Sequence, residues 1–117
     1  MATTTRARKT DPTDRVFRAL ADRTRRALLD RLRDRELAAG ELAEGFRVTR
    51  PAISRHLRLL RQAKLVRERR EGRRRMFTLE PEPLVAVEGW LQAYRVFWAA
   101  RLTDLKAMIE QDVARAA

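Results

Sequence analysis

Apolar positions along this 117-residue chain recur mostly at the three-and-four spacing of amphipathic helices. Val16, Phe17 and Leu20 form the stripe of a first helix, with Asp11 or Asp14 placed to cap it. Asp22 caps a second, whose Leu28, Leu29 and Leu32 point inward while Asp30, Arg31, Arg33, Asp34 and Arg35 make a solvated face. Gly40–Phe46 reads as a short helix with Leu42, Ala43 and Phe46 as core contacts. A three-residue turn, Arg47-Val48-Thr49, follows, with Val48 filling the angle between helices. Then Ile53, Leu57 and Leu60 fall at i, i+4 and i+7, which at 100° per residue sets Pro51, Ser54, Arg55, Arg58 and Gln62 on the opposite face and Arg61 on its flank. Thr49 can cap this helix through its hydroxyl. Arg50 is the alternative, because the residue before a proline resists helical angles. Pro51 fits the first turn, where no donor is needed.

The helical period breaks once. Leu65–Arg70 and Arg73–Leu79 flank Glu71-Gly72 and read as a β-hairpin, with glycine supplying the positive φ of the turn. A long segment from about Pro83 to Ala114 returns to the helix. Its Leu91, Tyr94, Trp98, Leu102, Leu105 and Ile109 step by 3, 4, 4, 3 and 4, and Trp90, Phe97 and Met108 widen the stripe. Both tryptophans, the single tyrosine and one of four phenylalanines lie between Trp90 and Trp98. Packing across its own domain is the plain reading of such a face. A stripe this wide and aromatic exceeds what so small a core needs, which favours an intermolecular interface. Gly89 loosens the start of this helix.

Charge changes the picture. Arg47 to Arg75 holds twelve basic and two acidic residues, so nearly all of the chain's net +11 sits in a quarter of its length. A charge run is often just solvated surface. Here it coincides with a helix face and a hairpin too charged at its tip to be buried, which is the footprint of a polyanion. Residues 1–10 are small, polar and basic without periodicity, and are expected to be a disordered tail or an arm for a minor groove. Residues 11–117 are expected to form one domain.

Candidate chemistry is sparse. No cysteine is present, which excludes a disulfide framework, a thiolate nucleophile and a sulfur metal ligand. The four glycines are isolated and build no phosphate loop. Ser54 and the single histidine, His56, cannot pair as nucleophile and base, because two residues apart on a helix their side chains point about 200° apart. His56 suits packing or a phosphate contact. No enzymatic activity, cofactor or metal is expected. The sequence shows no apolar run of about 18 residues and no signal-peptide pattern, so it reads as cytoplasmic and without a membrane partner.

These residues carry a resemblance. GELAEGFRVTRPAISRHLRLLRQAKLVRERREGRRRMFTL, with LADRTRRALLDRL upstream, resembles the helix-turn-helix and wing of the ArsR family of bacterial winged-helix repressors, from about Val16 to Leu79. Two departures stand out. Arg23 replaces a usual proline, and Lys64 stands where a glycine commonly ends the recognition helix, an exchange expected to lengthen that helix by a residue. The resemblance implies a mainly α fold with a small β-hairpin wing, dimerising through its terminal helices. It places Val16, Phe17 and Leu20 of the first helix beside Leu91, Tyr94, Phe97, Trp98, Leu102, Leu105 and Ile109 of the last in a homodimer. Many members sense metals through cysteines or Asp/His sets. Neither set is present, so the likeness is carried for DNA binding and withheld for metal, and the aromatic last helix resembles a metal-free subset.

The resulting expectation is a homodimeric, sequence-specific DNA-binding regulator, foremost a repressor on a palindromic operator, autoregulation included. Arg50, Pro51, Ser54, Arg55, His56, Arg58 and Arg61 of the recognition helix, with Arg70, Arg73, Arg74 and Arg75 of the wing, form its candidate contact set to double-stranded DNA. Release would come from an unidentified small-molecule inducer or from dilution. Two other classes compete: a low-specificity architectural or RNA-binding protein, and a protein-interaction module built on the aromatic helix.

Overall fold

The computed structural model describes residues 11–116. They form two units, one ending at Val85 and one beginning at Ala86. In the first, α1 (Pro12–Leu20) and α2 (Arg23–Arg31) are followed by β1 (Leu37–Ala38), α3 (Ala39–Ala43), α4 (Arg50–Gln62), β2 (Val66–Glu71) and β3 (Arg74–Leu79). The long α5 (Leu84–Ala116) makes up nearly all of the second. Among the described residues no helix is long and apolar enough to cross a membrane.

The helix starts follow capping chemistry. Asp11, not Asp14, caps α1 by accepting from the Thr13 amide, and Asp22 caps α2 by accepting from the Arg25 amide. Each satisfies a first-turn donor with no partner inside its helix. α3 differs from the Gly40–Phe46 expectation: it starts a residue earlier and stops at Ala43. Glu44 is extended there, and Gly45 turns the chain at a φ of +83°. Phe46 leaves the helix but stays half-buried, with the Arg31 guanidinium 4.2 Å above its ring. Arg31, expected on a solvated face, donates to the Leu42 and Glu44 carbonyls and so closes the end of α3.

The core lies where α1, α2 and α4 meet the small sheet. Leu28, Leu42, Leu57, Leu60, Leu65 and Phe77 are fully buried, each contributing about 1.5–3 kcal/mol relative to exposure. Val16 belongs here as well. At 2 % exposure it packs inside its own domain with Ala19, which removes it from the set expected at a dimer interface. Phe17 and Leu20 stay half-exposed. Val48 corrects a second expectation, because at 40 % exposure it does not fill the angle between α3 and α4.

The sheet has three antiparallel strands in the order β1-β3-β2, so the expected hairpin gains a third strand. Leu37 pairs with Phe77 and Ala38 with Met76. Two residues are too few to leave a period in the sequence. The hairpin turn also sits one residue further along than expected: Glu71 pairs with Arg74, which leaves Gly72-Arg73 as the loop, with Gly72 at a φ of +64°. A positive φ at the first loop position alone is the type II′ pattern, which matches the twist of the strands.

Lys64 does not lengthen α4. The helix ends at Gln62 with Ala63 as cap, and Lys64 takes a φ of +63°. The Leu65 amide bonds the Leu60 carbonyl at 3.0 Å and the Lys64 amide the Arg61 carbonyl at 2.9 Å, a Schellman ending with lysine in the glycine seat. A left-handed conformation costs a non-glycine residue about 1–2 kcal/mol, partly offset by the smaller unfolded-state entropy of lysine. Lys64→Gly is therefore expected to stabilise the fold by about 0.5–1 kcal/mol, read as a higher urea midpoint. A midpoint unchanged or lowered would refute strain at this seat.

Candidate nucleic-acid interface

α4 is built to show one face. Thr49 caps it, its hydroxyl accepting from the Ala52 amide at 3.2 Å, and Arg50 and Pro51 form its first turn. Ile53, Leu57 and Leu60 are buried, which turns Arg55 and Arg58 outward into solvent and leaves Ser54 half-exposed. Neither arginine has a side-chain hydrogen bond or ion pair among the described residues. Two uncommitted guanidinium forks on an exposed helix face are the donor geometry that reads guanine edges or phosphates.

The twelve cations between Arg47 and Arg75 divide by partner. Arg61 and Arg75 both bind Glu68, the latter through Nε at 2.8 Å, which ties the end of α4 to the wing. Arg69 forms a two-pronged pair with Glu36, 2.8 and 2.6 Å, and Glu36 also accepts from the Thr78 hydroxyl at 3.0 Å. That network runs from the residue before β1 across β3 to β2. Arg67 pairs with Glu80 at 2.9 Å, and Arg74 reaches Glu41 at 3.4 Å. By contrast Arg47, Arg50, Arg55, Arg58, Lys64, Arg70 and Arg73 have no acidic partner among the described residues.

Two of these carboxyl groups, those of Glu68 and Glu36, are held ionised. The hydrogen bond from Arg75 is the main cause holding Glu68 below the ordinary carboxylate range, with the charges of Arg75 and Arg61 adding to it. Arg69 does the same for Glu36. A depressed folded pKa contributes stability above the unfolded value near 4.5 and loses it as pH falls through the folded one. At neutral pH these clamps are therefore fully closed.

The structure thus sorts the expected contact set. Arg50, Pro51, Arg55, Arg58, Arg70 and Arg73 are exposed, and the five arginines among them are unpaired. Arg61 and Arg75 are both paired with Glu68, and Arg74 reaches Glu41 at 3.4 Å. His56 is turned toward α2: its Nδ1 accepts from Arg25 Nη1 at 3.2 Å and lies 3.8 Å from Asp22. Because a guanidinium only donates, that contact places the imidazole proton on Nε2. His56 thus ties α4 to α2. Arg47 and Lys64, exposed and unpaired beside the two ends of α4, lie outside the expected set. The only sequence signal for them is position within the charged stretch.

One groove joins helix and wing. It is lined by Arg50 at the start of α4, by Arg73, Arg74 and Arg75 of the wing, and by Ala38, Gly40, Glu41 and Glu44 around α3, enclosing about 560 Å³. Glu41 faces Arg74 there while also accepting from the Ala38 amide at 2.8 Å, so α3 positions the carboxylate opposite this arginine. An exposed helix with free guanidinium groups, set beside a basic hairpin, defines a winged helix-turn-helix domain.

Comparison with known proteins agrees. A family described as a helix-turn-helix domain matches residues 20–69. The HTH-type transcriptional regulator Rv2034 of Mycobacterium tuberculosis is 43% identical over 99 residues, covering 85% of this chain and 90% of that protein. The transcriptional repressor SdpR of Bacillus subtilis is 37% identical over 76 residues, 65% of this chain and 84% of its own. A crystal structure of the ArsR family transcriptional regulator RHA00566 superimposes with a TM-score of 0.70 at 36% identity, over 76% of this chain and 98% of that one. The chain belongs to the ArsR family of winged helix-turn-helix transcriptional regulators.

Proposed function

We infer that this protein is a homodimeric repressor that occupies a palindromic operator, acting in the cytoplasm by binding alone, without catalysis or metal. The observation carrying this reading is the pair of unpartnered guanidinium groups, Arg55 and Arg58, on the solvent face of α4. In a two-fold dimer, two such helices enter successive major grooves about 34 Å apart. Occupying a promoter would exclude polymerase, and the protein's own promoter is the first operator to examine. The test is to sequence the genomic fragments that the purified protein retains at about 0.1 M salt. Enrichment of one inverted repeat is the expected result, unchanged by added zinc or arsenite. Retention without a shared repeat would favour the architectural or RNA-binding reading, and no retention the protein-interaction one.

The wing contributes through phosphates in this reading. Arg70 and Arg73, both unpaired, should carry that role, whereas Arg75 should act through Glu68. Arg70→Ala with Arg73→Ala is expected to flatten the slope of log K against log salt by about 0.9 for each phosphate no longer neutralised. Arg75→Ala should mainly lower wing stability. Equal slopes for the double variant and the native protein would place these arginines off the backbone.

A further inference from the structure

A cleft of about 250 Å³ opens between α1, α2 and α4, lined by Arg15, Arg18, Ala19, Arg25, Leu59, Gln62 and Ala63. Its chemistry differs from that of four other clefts on the molecule, each of which is lined by at least one carboxylate: Glu41, Asp34, Glu68 and Asp30 among them. This one has three guanidinium groups, an apolar floor of Ala19, Leu59 and Ala63, one amide, and no acid. Arg15 and Arg18 have no side-chain partner among the described residues. Arg25 is held in place by α1, donating through Nε to the Ala19 carbonyl at 2.7 Å and through Nη2 to the Arg18 carbonyl at 3.0 Å. Its Nη1 goes to His56 at 3.2 Å. Each terminal nitrogen of Arg25 therefore keeps one hydrogen uncommitted.

We propose that this cleft binds a small organic carboxylate with an apolar body, and that its occupancy regulates DNA binding. The carboxylate meets Arg15, Arg18 and the free donors of Arg25, in the charge-assisted geometry that guanidinium groups favour. The body lies on Leu59 and Ala63, which belong to the back of the recognition helix. The volume fits one ring or a short branched chain, below the size of a drug-like ligand. Coupling runs through Arg25: a carboxylate on its free donors shares the guanidinium that ties α2 to α4 through His56, competes with that tie and so alters the seating of α4 against DNA. The ligand site stands on this chain alone, whereas its regulatory consequence rests on the operator reading above.

Benzoate is a suitable probe, with benzamide as its neutral counterpart and inorganic phosphate as an anion lacking the apolar body. Amide chemical shifts of the full chain without DNA are expected to move saturably with benzoate at Ala19, Leu59 and Ala63, with an affinity in the millimolar range or tighter. Benzamide and phosphate should move them at least about tenfold less at equal concentration. Arg15→Gln with Arg18→Gln, two changes outside the DNA face, should weaken benzoate about tenfold. Saturating benzoate should lower the protein's affinity for its retained DNA fragment about fivefold or more, by a factor reciprocal with the effect of DNA on benzoate. Equal responses to all three probes, or benzoate shifts that survive the double variant, would overturn the site. Saturable benzoate binding with DNA affinity unchanged would overturn the regulation. A protein that retains no DNA with or without benzoate defeats the operator reading instead, and the DNA-free titration still decides the site.

Discussion

Trp98→Glu combined with Leu102→Glu is expected to convert a dimer into a soluble, helical monomer whose affinity for a full operator falls to that for a half site. The reason lies in α5. Trp90, Tyr94, Phe97, Trp98, Leu102, Leu105 and Ile109 are between 46 % and 63 % exposed in the single chain, and none of the helix's residues is buried. Exposed apolar surface on this scale marks an interaction site. The spacing of Leu91, Tyr94, Trp98, Leu102, Leu105 and Ile109 makes it one continuous seam, and a second copy presents the same seam under a two-fold axis. Two glutamates in its centre would have to be desolvated in the dimer, whereas in the monomer they face water. Loss of the dimer removes the linkage between two recognition helices, worth roughly 10²–10⁴ in avidity. Sedimentation gives the assembly state, circular dichroism the helix content, and full and half sites the avidity. A variant still dimeric and binding normally would show that this seam is not the interface.

Arg55→Ala should be the most damaging single change on the DNA face. The side chain is exposed, projects opposite the buried stripe and has no partner among the described residues, so its removal disturbs nothing inside the fold. A bidentate arginine–guanine contact is worth about 1–3 kcal/mol of discrimination, or roughly 5- to 150-fold. Operator affinity should fall by that factor while affinity for random DNA falls far less. The two can be compared by titrating both sequences at one salt concentration. Equal losses on both would move Arg55 into the phosphate class, and Arg58 would then be the residue to test for base readout.

The helices and the wing are legible in the sequence because their signals are local. A stripe such as Ile53, Leu57 and Leu60 announces both the helix and its outward face within a few turns, and Thr49 and Asp22 announce where helices begin. The charge excess likewise marks the basic surface of α4 and the wing. Strand β1 leaves no such trace, since Leu37 and Ala38 become a strand only by pairing with β3. Val48 departs from expectation because filling an inter-helix angle depends on how the turn orients a side chain, which no spacing encodes. Lys64 breaks a composition rule rather than the fold, for the Schellman hydrogen bonds hold it in glycine's conformation.

By itself the sequence determined the class of fold, the placement of the recognition helix and the sign and position of its charge, all of which follow from periodicity and composition. Only the tertiary structure decided which arginines are available. Glu36 and Arg69 are 33 positions apart yet bonded, while Arg70, the next residue along, stays free. Tertiary contact also took Val16 into the core and set His56 against Arg25, 31 positions away. The physical reason is range. A helix face is settled by neighbours within two turns, but the partner of a charge is settled by whatever distant segment the fold brings within about 3 Å.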